Sequence, residues 1–166
     1  MNAEWRTTFA VIPIWMFLRM ALNALDGMLA REFNQQSALG GYLNELGDVI
    51  SDAALYLPFA FVAPFHPAWI ACVIFLAVLS EFAGVLGAAI GASRRYDGPM
   101  GKSDRAFVFG ALGLWVALTS VLPVWLEWLM PLLAVAIGWT IVNRVRKGLA
   151  ELAQTNMPLK NNGPES

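Results

Sequence analysis

Asp26-Gly27-Met28-Leu29-Ala30-Arg31, followed after eight residues by Gly40 and then by Asp48, places carboxylates, an arginine and small residues between two apolar stretches. Carboxylates at bilayer depth are costly and are rarely present without a function. Arg19, Asn23, Asp26 and Ala30 are spaced by four, three and four, which puts them on one helical face. Asn44, Asp48 and Asp52 are spaced by four and four on a second face, flanked by Glu45 and Ser51. Together the two faces offer oxygen ligands without histidine or cysteine, the donor set of a hard cation such as Mg²⁺ or Mn²⁺. Gly27, Ala30, Gly40 and Gly41, small residues on the same turns, would let a nucleotide or diphosphate approach the backbone closely. The chemistry that follows is metal-assisted work on a phosphate at a membrane surface. For any one of these residues a structural ion pair is an even alternative, with Arg19 serving Asp26 or Asp52. Two aligned faces with glycines at matching depth favour function.

Membrane helices have to position these groups. The chain has 166 residues, 58% hydrophobic and only 14% charged, with a mean hydropathy of +0.57. A soluble domain runs nearer ~25% charged. The fold class expected is all-α, a polytopic transmembrane bundle in one domain over residues 1–150, with a polar, disordered tail over 151–166. A net charge of -1, with no basic stripe of interleaved aromatics, argues against nucleic acid. Cys72 is the only cysteine, so an intrachain disulfide and a thiolate metal cluster are both excluded.

A crossing helix needs about 20 mostly apolar residues. Five stretches are expected to span: Phe9 to Leu29, Leu39 to Val62, Trp69 to Ala92, Arg105 to Val121, and Val124 to Val145. Pro64-Phe65-His66-Pro67 and Asp97-Gly98-Pro99-Met100-Gly101 separate the second, third and fourth, and Pro123 opens the last. Arg31, Arg94, Arg95, Lys102, Arg105, Arg144, Arg146 and Lys147 fall on one side, which the positive-inside rule makes cytoplasmic. Trp5, Trp69, Trp125 and Trp128 gather at the opposite boundary as an aromatic belt. No cleaved signal peptide is read at the N-terminus. An odd number of spans leaves that terminus outside, so a further span upstream is expected.

The run Asn23 to Asp48 resembles the motif of the CDP-alcohol phosphatidyltransferase family, D-x2-D-G-x2-A-R-x8-G-x3-D-x3-D. Asp26, Gly27, Ala30, Arg31, Gly40 and Asp48 stand in its register, and the family's first and third aspartates fall on Asn23 and Asn44. The resemblance implies a membrane enzyme, of six spans in the family, that uses two metal ions to move a phosphatidyl group from a CDP-linked lipid to an alcohol, releasing CMP. It implies Mg²⁺ (or Mn²⁺) held by Asn23, Asp26, Asn44 and Asp48, with Asp52 an auxiliary one turn on. Asp48 would be the general base, and Gly27, Ala30, Arg31 and Gly40 would border the nucleotide. The two asparagines remove two of four negative charges. CDP-diacylglycerol and a small alcohol would be the substrates, at a bacterial inner membrane with the site facing the cytoplasm.

Lys102 and Arg105, at the mouth of the fourth span, either grip an acceptor's phosphate or, equally, serve topology and anionic headgroups. Glu81, inside the third span, lines the site or pairs with a base such as Arg19. Ala83, Gly84, Gly87, Ala88, Gly91 and Ala92 form a small-residue face for packing within the bundle or in a homodimer, the former being favoured. His66 sits on an outer turn away from the carboxylates. The alternative function is a non-catalytic membrane protein that binds CDP-lipid or a metal without turnover. A transporter subunit is disfavoured because the charges gather at one boundary and no inverted repeat is visible.

Overall fold

A computed structural model describes residues 3–33 and 37–155, and the backbone alone of Ala3, Ala30 and Arg31. The side chains of Ala30 and Arg31, expected beside the nucleotide, and the tail from 156 to 166 lie outside the described residues.

Every described element is helical. A short α1 (Ala3–Thr8) leads into α2 (Val11–Glu32), with Pro13 in the first turn, where a missing N–H breaks no helical bond. Ser37 caps α3 (Ala38–Tyr56), its hydroxyl accepting from the Gly40 N–H at 3.0 Å. Pro58 follows in a 3-10 turn, Leu57–Phe61. His66 caps α4 (Pro67–Ala89) through Nδ1, which accepts from the Ala68 N–H at 3.2 Å. That role is structural. Gly101 opens α5 (Lys102–Leu118), donating its N–H to the Asp104 carboxylate at 2.9 Å. A second 3-10 turn, Val124–Trp128, precedes α6 (Leu129–Thr155).

Five long helices stand where five spans are expected, and three of the apolar stretches meet the length and charge of a crossing helix among the described residues. Glu4–Leu29, Pro67–Ala89 and Val124–Thr155 are long and apolar enough to cross a membrane. α3 carries Glu45, Asp48 and Asp52, and α5 has 17 residues and opens on Lys102, Asp104 and Arg105. α6 also runs to Thr155, into the stretch expected as tail. Its last turns are rich in strong helix formers, and Glu151 accepts from the Ser93 N–H at 2.9 Å and from Arg95 at 2.6 Å.

α4 packs on α6 and α2 on α5, while α3 leans on α4. Each helix divides along its length. α4 buries Ile70, Val73 and Ala77, then Ser80 and Glu81; α6 buries Met130, Leu133 and Ile137, then Thr140 and Arg144. α5 runs the other way, from Arg105 to Phe109, Leu112 and Val116, and α3 passes from Asp48 and Asp52 to Tyr56. One end of the bundle is therefore aromatic and aliphatic, with Tyr56 stacked on Phe109 at 3.8 Å and Phe9 edge-on to Phe59 at 5.2 Å. The other end is ionic. There α4's small face receives its own chain: a Cβ at Gly84 would stand 2.6 Å from the Arg95 carbonyl, whose N–H bonds back to Gly84 O at 3.1 Å.

Candidate active site

The helices that carry the motif touch little through their backbones. Side chains bridge them instead. Arg19 on α2 donates to the Ser51 hydroxyl at 2.6 Å, pairs with Asp52, and brings its Nε to 4.0 Å from Asp48 Oδ1. Asn23, one turn on, donates its amide to Asp48 Oδ1 at 2.8 Å. Between the helices lies a cleft of about 830 Å³ lined in part by Asn23, Asp26, Gly27, Gly40, Asn44 and Asp48. The four-and-three spacing thus brings both polar faces to one space. Gly41 borders it too, and a Cβ there would meet open space.

A second cavity of about 380 Å³ shares Asn23, Asn44 and Asp48 with the first and adds Glu81, Arg94, Lys102 and Arg144. Asp48 stands at their junction, 6% exposed. Lys102, the first residue of α5, pairs with its Oδ2. Lys102 therefore sits where the two spaces meet.

Arg105 is placed differently from the acceptor-gripping role raised for it. It is 1% exposed and lines neither cavity. Its guanidinium reaches Glu81 Oε1 at 2.9 Å, Asp52 Oδ2 at 3.3 Å, and Ser80 Oγ and the Met100 carbonyl at 3.2 Å. It is a strut between α3, α4 and α5. Asp52, considered as an auxiliary metal ligand, has one oxygen on Arg19 and the other on Arg105 and also lines neither cavity. Glu81 does line the second cavity and pairs with Arg105, with Arg144 at 3.5 Å and with Arg94 at 3.7 Å, rather than with Arg19.

By sequence alone Arg94 and Arg144 are topological charges. The structure turns both inward: Arg94 joins Glu45 on α3 to Glu81 on α4, and Arg144 reaches the Ser80 carbonyl. The available signal was the lone Glu81, since a buried carboxylate needs cations and the flanking basic clusters hold them. Outside the apolar helices, Asp97 fastens the loop to α6. Lys147 donates to one of its oxygens at 2.8 Å and Arg95 to the other at 2.9 Å, and the Lys147 bond chiefly holds the Asp97 carboxyl below the usual carboxylate range.

The donor chemistry suits a hard cation. Asp26 is exposed to the cleft and has no hydrogen bond or ion pair among the described residues. Asn23 spends its N–H₂ on Asp48, which leaves its carbonyl oxygen, and Asn44 lines the same cleft. Among the described residues no three histidine, cysteine or acidic side chains converge, so the protein's share of the ligands would be small and mostly neutral.

A sequence model of the family described as CDP-alcohol phosphatidyltransferase matches residues 3–142. The chain is also 49% identical over 149 residues to Inner membrane protein YnbA of Escherichia coli (strain K12), an alignment covering 88% of this chain and 73% of that protein. No solved structure matches it. The match of residues 3–142 spans all five long helices except the end of α6, and it takes in both motif faces and the Lys102 junction. The chain belongs to the CDP-alcohol phosphatidyltransferase family.

Proposed function

We propose that this protein transfers a phosphatidyl group from CDP-diacylglycerol to a small alcohol, with release of CMP, in phospholipid biosynthesis at the cytoplasmic face of a bacterial inner membrane. Family membership supplies the class, a transferase acting on a CDP-alcohol and an alcohol acceptor. The observation that carries the finer reading is the shared lining of the cleft by Asp26, Gly27, Gly40, Asn44 and Asp48. The relative's description as an inner membrane protein supports the location.

In this reading the nucleotide lies against Gly27 and Gly40 with Ala30 and Arg31 nearby, and the acceptor enters through the second cavity beside Lys102. Asp48, at the junction, takes the proton from the acceptor hydroxyl. That oxygen forms a bond to the phosphatidyl phosphorus as the bond from phosphorus to the oxygen of CMP breaks. Asn23 and Lys102 fix the Asp48 carboxylate for this step, and Arg105 holds the helices around it through Asp52 and Glu81. A bound Mg²⁺ or Mn²⁺, held by Asp26 with the carbonyls of Asn23 and Asn44, would neutralise the diphosphate and its leaving group.

A second reading is a protein that binds CDP-lipid without turnover. It is favoured by one observation: Asn23 and Asn44 stand where carboxylates would serve a metal pair, and Asp48 is already paired with Lys102. The experiment is CMP release from CDP-diacylglycerol by purified protein in detergent, with and without Mg²⁺ or Mn²⁺, across a panel of alcohols. Metal-dependent release that falls about 10²–10⁴-fold in Asp48→Asn supports transfer. CDP-lipid binding with no release from any alcohol would replace it by the second reading.

A further inference from the structure

The two carboxylates that line the cleft are in opposite states. Asp26 is exposed and has no partner among the described residues. Asp48 is buried, with Oδ1 accepting from Asn23 at 2.8 Å and Oδ2 paired with the Lys102 ammonium. Arg19 adds a second cation, its Nε 4.0 Å from Asp48 Oδ1. A divalent ion arriving at Asp48 would have to displace an ammonium and then sit beside a guanidinium. At Asp26 it would displace no cation, since that carboxylate has no ion pair among the described residues.

Neighbouring groups reinforce the contrast. A second ion in the same space would need more anionic oxygen, and Asn23 and Asn44 supply none. Asp52 cannot be recruited without stripping both its arginines. Glu81 is held by Arg105, Arg144 and Arg94, and Glu45 by Arg94. The charge that a second metal would bring is already present on a side chain.

We propose that this site takes a single divalent cation, on the Asp26 side of the cleft, and that the Lys102 ammonium on Asp48 supplies the second positive charge. The proposal rests on reading the cleft as the transfer site. It makes Lys102 a resident of the phosphate-handling machinery rather than a topological charge.

The test is Mn²⁺ binding alone, with purified protein in a neutral detergent, read as loss of the free-ion EPR signal. Wild type is expected to bind one Mn²⁺ per chain. Asp26→Asn should weaken that site at least tenfold, while Asp48→Asn changes it by less than about twofold. The triple variant Asn23→Asp, Asn44→Asp, Lys102→Met should bind two. Two ions in wild type, or none, would overturn the proposal, and that count needs no variant to fold. Equal losses from Asp26→Asn and Asp48→Asn would overturn it as well. The CMP assay on the same preparation separates the two ideas. One bound ion without CMP release defeats transfer and leaves this inference, whereas two bound ions with release do the reverse.

Discussion

Replacing Arg105 by methionine separates a strut from a substrate contact. The guanidinium is 1% exposed and serves Glu81 at 2.9 Å and Asp52 at 3.3 Å. Removing one partner of a buried ion pair costs about 3–5 kcal/mol, because the other charge stays behind. Here Asp52 retains Arg19, and Glu81 retains Arg144 at 3.5 Å and Arg94 at 3.7 Å. The loss in Arg105→Met should therefore lie at the lower end, about 3 kcal/mol. Adding Glu81→Gln removes the carboxylate that lost its nearest donor, and the double variant should recover about 1–2 kcal/mol relative to additivity. Reversible unfolding by SDS in mixed micelles reads both values. The acceptor KM, measured on Arg105→Met alone, should stay within about twofold of wild type, since Arg105 lines neither cavity. A cost under about 1 kcal/mol, strict additivity, or a tenfold rise in KM would refute the strut.

Gly98 has φ +130° and a Cβ there would stand 2.5 Å from Thr140 Cγ2, so Gly98→Ala should destabilise by roughly 1–3 kcal/mol or more in the same SDS titration. Arg19→Met removes the main bridge between α2 and α3, and the distance distribution between spin labels on the two helices should broaden. An unchanged distribution would mean the cleft is held otherwise. Because Lys147 and Arg95 hold Asp97 below its ordinary range, the fastening of the loop to α6 is fully present above about pH 4 and is lost as pH falls through the lowered value. Hydrogen-exchange protection in residues 93–98, taken relative to the intrinsic rate at each pH, should fall on acidification through that window, and Asp97→Asn should have low protection already at neutral pH.

Helical spacing made the motif faces legible, because period alone decides which of Asn23, Asp26, Asn44 and Asp48 share a side. It also located the turns, since His66-Pro67 and Gly101-Lys102 are local signals. The partners of Glu81 were not legible. Its cations come from Arg94, Arg105 and Arg144, and their choice over Arg19 depends on how α4 meets α5 and α6. Asp52 illustrates the same limit: its spacing matches a ligand's, yet two arginines from different helices claim it. The reach of α6 beyond Val145 was hidden because polar helix and polar tail have similar composition, and only the tie from Glu151 to Ser93 and Arg95 distinguishes them.

The ionic end draws on Arg19, Asp48, Glu81, Arg105 and Arg144, one from each of the five long helices. A ribosome delivers these groups in order. When α3 emerges with Glu45, Asp48 and Asp52, only Arg19 has preceded it among the cations that later pair with those acids. Lys102 and Arg105 arrive a loop and a helix later. During synthesis the nascent α3 therefore carries acids of which only Asp52 already has a close cation, in Arg19, which disfavours its full burial in the membrane until α5 joins it. On this account the ionic end closes late, and a product ending before α5 would leave Asp48 without its ammonium and Asp52 with one arginine of two.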